Sequence, residues 1–255
     1  MSLKTVMQKL LSTTFALSSR SLATSASLWK GYDPVQESLM DNENLILVDA
    51  EDKVTGKASK RYCHLVQADG SLPLHRAFSI YLFNTKGEFL LQQRSDTKIT
   101  FPAAYTNTCC SHPLYIADEM DMSDNGIGVK RAALRRIETE LGVGSDQLKA
   151  EDVHLMTRML YEAKSDSIWG EHELAYLFVV KKDIEIKANP NEVKDVKYVS
   201  QNEFRDFEKD CDNRDIKFTP WFSLVKRELL FNWWNNIDRI MSTPYDGKIR
   251  HMYEK

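Results

Sequence analysis

Two apolar runs, Ala77 to Phe83 and Glu88 to Gln92, separated by Asn84-Thr85-Lys86-Gly87, constrain the fold more than any other stretch. Short apolar runs bounded by turn residues read as strands, and Gly87 supplies the positive φ that a tight hairpin needs. Leu45-Ile46-Leu47-Val48, Leu174 to Val180 and Lys194 to Val199 read as further strands, with Asp49 to Gly56 as a turn region. Beyond an acidic loop, Asp118 to Asn125, the residues Val129, Ala132, Ala133, Ile137 and Leu141 recur at helical spacing, and Gly142 sits where a helix stops. Ser200-Gln201-Asn202-Glu203 is a capping box that opens a short helix. Thr219-Pro220 starts a last long helix, with threonine as cap and proline in the first turn. Most of its aromatic load, Trp221, Phe231, Trp233 and Trp234, is expected in the core. Strands and helices in this mixture predict one α+β domain from residue 34 to the end.

The first 32 residues differ in kind. They carry Lys4, Lys9, Arg20 and Lys30 with no acid, so the remainder carries −7 against a net −3 for the whole chain. An acidic body argues against nucleic acid as the partner. The leader is rich in Ser, Thr, Ala and Leu, and Val6, Leu10, Leu11 and Leu17 give it an apolar face, which is a transit-peptide composition. We expect residues 1–33 to be a mitochondrial transit peptide, cleaved between Arg20 and Asp33; a disordered tail is the alternative. Plastid, cytosol and peroxisome are the other addresses, although the terminus His251-Met252-Tyr253-Glu254-Lys255 lacks a Ser-Lys-Leu signal. No apolar run approaches the ~20 residues needed to cross a bilayer. Cys63, Cys109, Cys110 and Cys211 show no paired spacing, so reduced thiols are expected.

Chemistry concentrates in Tyr-Thr-Asn-Thr-Cys-Cys-Ser-His-Pro, residues 105 to 113, where thiol, imidazole, amide and hydroxyl groups crowd together. Such a thiol serves as a nucleophile, an acid or base, half of a metal site, or merely a small buried side chain. Elsewhere, Glu171 and Glu173 alternate with His172 and share one side of a strand. Two like charges so close need a cation or a shared proton, unless they stand in water at a strand end. His64, His75 and His112 with these carboxylates make a donor set for a divalent cation. Lys60, Arg94 and Lys98 form a cationic set suited to a diphosphate. Arg136 and Glu140, four apart on the helix, read equally as a surface salt bridge.

At these residues the chain resembles the type I isopentenyl diphosphate isomerases, which use a Nudix-like mixed sheet flanked by helices. The resemblance covers nearly everything after the leader. It rests on Lys-Arg-Tyr-Cys-His ending at His64, Leu-His-Arg-Ala-Phe around His75, and Gln-Gln-Arg-Ser-Asp-Thr-Lys containing Arg94 and Lys98. Thr-Asn-Thr-Cys-Cys-Ser-His-Pro at 106–113, Arg-Arg-Ile-Glu-Thr-Glu-Leu-Gly at 135–142, Tyr161, Trp-Gly-Glu-His-Glu-Leu at 169–174 and Thr-Pro-Trp at 219–221 complete it.

The resemblance implies an enzyme that interconverts isopentenyl and dimethylallyl diphosphate through a tertiary carbocation, feeding isoprenoid biosynthesis. It implies Cys110 and Glu173 as the two acid/base groups, Tyr161 as an assistant in proton transfer, and Trp221 as the aromatic face toward the cation. It implies a first metal, Zn²⁺, Mn²⁺ or Mg²⁺, on His64, His75, His112, Glu171 and Glu173. A second ion, Mg²⁺, would bridge the diphosphate near Glu140 and the Cys110 carbonyl, with Lys60, Arg94, Lys98 and Ser111 on the phosphate oxygens. A monomer acting on a small prenyl diphosphate is expected. Two other readings compete: a Nudix hydrolase of a nucleoside diphosphate derivative, and an inactive diphosphate-binding module. Against hydrolysis, arginine and threonine replace two of the three acids in the hydrolase frame Arg-Glu-hydrophobic-x-Glu-Glu-x-Gly.

Overall fold

The computed structural model describes residues 32–214 and 216–253, so residues 1–31 of the expected leader lie outside the described residues. The chain divides into two units, Met1–Pro34 and Val35–Lys255, and the sheet with its covering helices belongs to the second. Helix α1 (Pro34–Asn42) leads into β1 (Asn44–Val48), which pairs antiparallel with β2 (Val54–Ser59). The expected turn region is therefore shorter than Asp49 to Gly56, because Val54 already joins the ladder. Ser59 accepts a hydrogen bond from the Tyr62 amide at 3.2 Å and caps α2 (Lys60–His64).

The two founding apolar runs become β3 (His75–Phe83) and β4 (Phe89–Arg94), with Gly87 at φ 79° between them. They do not zip into the expected hairpin ladder: Phe83↔Phe89 is their one register pair. Beyond it the strands splay, and a threonine side chain fills the gap. Thr108 Oγ1 accepts the Leu82 amide at 2.9 Å and donates to the Leu90 carbonyl at 2.7 Å. After β5 (Tyr105–Thr106), β6 (Cys109–Ser111) takes over the edge of β3 that β4 leaves, with Ser79 opposite Cys110.

Strand β7 (His154–Lys164), which has no counterpart among the expected strands, pairs antiparallel with β8 (Gly170–Lys181). On its other side β8 runs parallel to β3 over nine pairs, from His75↔Glu173 to Phe83↔Lys181. It begins before the expected Leu174, so Glu171 and Glu173 are strand residues inside the sheet rather than at a wet end. β9 (Val193–Val199) pairs with β4, and β10 (Ile249–His251) lies parallel to β7.

Helices cover both faces. The expected acidic loop holds a short α3 (Ala117–Met120) and the start of α4 (Ser123–Leu141). Asp124, Asn125 and Gly126 take left-handed φ of 48°, 56° and 83° before the regular helix begins. Val129, Ala132, Ala133, Ile137 and Leu141 are fully buried against Phe78, Ile80 and Leu82, and Gly142 ends the helix at φ 67°. Burial of each large apolar side chain contributes roughly 1.5–3 kcal/mol. On the opposite face, Ala77, Tyr81, Met159 and Leu177 pack against α5 (Gln201–Asn213), α6 (Pro220–Val225) and α7 (Phe231–Asn235) through Phe204, Phe222 and Trp233. The Ser200 and Glu203 capping box opens α5 as expected. The last helix is interrupted by a π turn at Lys226–Leu230, and Thr219 sits at the cap position of α6 without a capping hydrogen bond. Among the described residues no helix is long and apolar enough to cross a membrane.

Candidate active site

Strand register assembles the site. Tyr161 on β7, Glu173 on β8 and His75 on β3 are paired positions, so they form one row across three strands and share a face. Glu171 lies two residues back on that face, whereas His172 turns away and its Nδ1 donates to the Leu72 carbonyl at 2.8 Å. His64 arrives from the end of α2 and His112 from the residue after β6. The three imidazole centroids stand 4.9–5.0 Å apart, and all five side chains are buried.

Tautomers follow from the backbone. His64 Nδ1 lies 2.7 Å from the Lys60 carbonyl and His75 Nδ1 2.9 Å from the Pro73 carbonyl. A carbonyl only accepts, so both Nδ1 atoms carry the proton and both Nε2 atoms face inward. There, Glu171 Oε2 lies 2.8 Å from His64 Nε2, 3.9 Å from His75 Nε2 and 4.0 Å from His112 Nε2. His75 Nε2 and Glu171 Oε2 are buried without hydrogen bonds. One proton serves one of these contacts, whereas a divalent ion serves them all. Ligand atoms of His64, His75, His112 and Glu171 all lie within 4.8 Å of one another, so the donor set fits such an ion. Burial, reinforced by His64, pushes His75 down to about 3, leaving it a neutral ligand. Burial raises the Glu171 carboxyl, but His64 and then His75 outweigh it and hold Glu171 at about 2.

Glu173 has the opposite bias. Burial and the neighbouring Glu171 charge push its carboxyl well above the usual range. Its Oε2 accepts from the Tyr161 hydroxyl at 2.7 Å, and its Oε1 lies 2.9 Å from His112 Nε2. Burial also pushes the Cys110 thiol up to about 12, against the pull of Arg94, whose Nη1 is 4.0 Å from Sγ. Cys109, next along β6, faces the opposite core with Ile80 and Leu90, as the alternation of a strand demands.

Lys60, Arg94, Lys98 and Ser111 line the same cavity as Cys110, Glu171, Glu173 and Trp221. Each cation is already engaged. Lys60 Nζ pairs with Glu43 at 2.9 Å, and Lys98 Nζ with Glu192 at 2.7 Å. Arg94 donates to the carbonyls of Thr100 and Phe101 at 2.8 and 3.1 Å. Arg136 and Glu140 are not a surface pair: both are buried, 2.7 Å apart, and Arg136 reaches Glu192 at 3.3 Å. Glu140 stands outside the imidazole cluster, held by Arg136 and, at 3.4 Å, by Gln92. Arg136 also lines the cavity, and Glu192 was absent from the expected site residues; its setting in Asn-Pro-Asn-Glu reads only as a turn.

The cavity measures about 40 Å³, and Gln36 and Met40 of α1 line one wall. Trp221 forms another wall, 5.3 Å from Phe101 and 6.1 Å from Tyr161 between ring centroids. Its indole N–H points away from the space, to Thr106 Oγ1 at 3.0 Å and Asn107 Oδ1 at 3.1 Å.

A mixed sheet between helices is the build of a Nudix-domain protein. The NUDIX domain family model matches residues 73–222. A NUDIX hydrolase structure from Alicyclobacillus acidocaldarius superposes with a TM-score of 0.50 at 11% identity, covering 68% of this chain and 97% of that one. Closer in sequence, an isopentenyl-diphosphate delta-isomerase of Gibberella zeae is 46% identical over 84% of this chain and 84% of its own length. The chloroplastic isopentenyl-diphosphate delta-isomerase II of Arabidopsis thaliana is 46% identical over 82% of this chain and 74% of its own. The chain belongs to the isopentenyl-diphosphate delta-isomerase family.

Proposed function

We propose that the chain interconverts isopentenyl and dimethylallyl diphosphate by adding a proton to the terminal carbon of the double bond and removing one from the carbon beside the resulting tertiary cation. The observation that supports this reading is that a thiol and a carboxyl, Cys110 and Glu173, line one cavity together with Lys60, Arg94, Lys98 and Trp221. Tyr161 donates to Glu173 and so stabilises its carboxylate when the proton has left. Which group protonates depends on the direction of reaction. The indole of Trp221, over which the Arg94 guanidinium stands 5.6 Å from the ring centroid, would offer its face to the cation, and exclusion of water around it would protect that cation from capture.

His64, His75, His112, Glu171 and Glu173 would hold one divalent ion, Zn²⁺, Mn²⁺ or Mg²⁺, and Glu140 would stand near a Mg²⁺ that accompanies the diphosphate. Bound there, the ions would neutralise charge on the carboxylates and the diphosphate. Lys60, Arg94, Lys98 and Ser111 would orient the phosphate oxygens, with Lys60 and Lys98 turning from Glu43 and Glu192 as they do so. Incubation with isopentenyl diphosphate and Mg²⁺ tests the reading: isomer is expected, phosphate release would mean a hydrolase, and neither product would mean a binding module.

The leader would carry the enzyme into mitochondria, supported by the charge of +4 and the lack of acids over residues 1–32. A cytosolic reporter fused to residues 1–33 would overturn that address and leave the chemistry standing.

A further inference from the structure

We propose that Thr106, Asn107 and Thr219 are positioning residues that aim the Trp221 ring at the reacting carbon, an inference that rests on the isomerase reading. Asn107 is fully buried, and every hydrogen-bonding position of its amide is used. Nδ2 donates to the Ile80 carbonyl at 3.1 Å and the Cys109 carbonyl at 3.0 Å. Oδ1 accepts from Trp221 Nε1 at 3.1 Å and from Thr106 Oγ1 at 3.0 Å. Thr106, also fully buried, accepts the same indole N–H at 3.0 Å and meets Thr219 Oγ1 at 2.8 Å.

Thr219 makes the arrangement more than incidental. It stands at the N-cap of α6, where a threonine hydroxyl ordinarily satisfies a free helix amide, yet its hydroxyl makes no cap bond. It holds Thr106 instead. A forked acceptor on the indole edge prevents the ring from turning about its long axis, so the face toward the cavity is fixed before substrate enters. The Cys109 carbonyl belongs to the peptide that leads into Cys110. One amide therefore references both the aromatic face and the strand that carries the thiol. A cation over a tilted or mobile ring loses most of the attraction, because the attraction follows the ring face.

Thr106→Val is close to isosteric and removes one arm of the fork. Two ligands separate ring placement from general damage: inorganic diphosphate, and a diphosphate ester whose tertiary ammonium replaces the cationic carbon. Expected for Thr106→Val is a kcat about tenfold lower with KM within twofold. The ammonium diphosphate should bind about tenfold more weakly, and inorganic diphosphate equally well. In a Trp221→Phe background, which lacks the N–H, the same substitution should cost less than about twofold. Thr106→Ser, which keeps the hydroxyl, should restore wild-type ratios. Should Thr106→Val fold poorly, Thr219→Val removes no capping bond from α6 and should show the same pattern at about threefold. The indole N–H resonance of Trp221, assigned by its loss in Trp221→Phe, should shift in both valine variants even if no isomer forms. That readout separates failure of the bracket from failure of the isomerase reading. Parallel loss of both ligands, an equal cost in the Trp221→Phe background, or an unmoved resonance would each overturn the proposal.

Discussion

Replacing Arg136 by methionine should expose how much of the site is held by charge. Arg136 is buried and bridges Glu140 at 2.7 Å and Glu192 at 3.3 Å, so its removal leaves two buried carboxylates, with Lys98 still on Glu192 and the neutral Gln92 amide on Glu140. Breaking such a pair typically costs about 3–5 kcal/mol. The molecule has one way out, which is to protonate a carboxyl. From the ordinary value of 4.5 this costs about 4 kcal/mol at pH 7.5 and about 1.4 kcal/mol at pH 5.5, at 1.36 kcal/mol per pH unit. The deficit relative to wild type at the same pH should therefore shrink from about 3–4 kcal/mol to about 1.4 kcal/mol on acidification.

The sign is opposite in the wild type. There burial raises Glu192, but Lys98 and then Arg136 outweigh it and hold the carboxyl far below its ordinary value. Its stabilisation is present above the unfolded value and is lost as pH falls through the folded one. At roughly 2–4 °C per kcal/mol for a domain of this size, the variant should melt about 10 °C lower at pH 7.5 and about 4 °C lower at pH 5.5. Adding Glu140→Gln removes one stranded charge and should recover most of the loss at pH 7.5. Paired circular-dichroism melts decide it. A deficit equal at the two pH values, or one that Glu140→Gln does not reduce, would refute an interior ion-pair network around Arg136.

Cys110→Ala should lower kcat by about 10²–10⁴-fold with the fold intact, whereas Cys109→Ala should keep turnover and lose about 1 kcal/mol of stability from the core; steady-state rates and melts separate the two. Arg94→Ala and Lys98→Ala should lower kcat/KM without changing metal content by elemental analysis, and unchanged kinetics in both would remove them from the site. Stripping divalent ions with a chelator should abolish turnover and lower Tm, with both restored by adding back an ion. An ion at a thousandfold its Kd stabilises by about 4 kcal/mol, so an unmoved Tm would mean that the imidazole cluster binds none.

Much of this arrangement was legible in the chain because periodicity and chemistry are local. The spacing of Val129 to Leu141 and the glycine after it set α4, and alternation alone placed Glu171 with Glu173 and separated Cys109 from Cys110. What escaped depends on partners distant in sequence. β7 mixes His154, Arg158 and Glu162 into its apolar pattern and is a strand because β8 pairs along its length. The splay of β3 and β4 could not be foreseen, because Thr108 replaces the ladder there with side-chain bonds. Arg136 and Glu140 looked like an exposed pair because an (i, i+4) spacing says nothing of which way the helix faces, and Glu192 completes the network from a turn.

The same helix face argues against hydrolysis. In the hydrolase frame that the chain resembles, positions 136, 139 and 140 carry the acids that hold catalytic metals, and here they carry Arg136, Thr139 and Glu140. The loss is more than a count of carboxylates. Arg136 occupies the buried position and binds the one acid that remains, Glu140, at 2.7 Å. Thr139 is exposed and donates its hydroxyl back to the Arg135 carbonyl at 2.8 Å, so this position faces water beside the helix. Restoring an acid there by Thr139→Glu should leave the fold within about 0.5 kcal/mol, as exposed helical substitutions usually do. Phosphate release from nucleoside diphosphate derivatives should remain absent, because of the frame's acids an exposed carboxylate at 139 has Glu140 alone to join it, and Arg136 neutralises Glu140. Mg²⁺-dependent phosphate release by the single variant, followed with a phosphate-binding fluorophore, would show that the helix had kept a hydrolytic metal site in spite of Arg136.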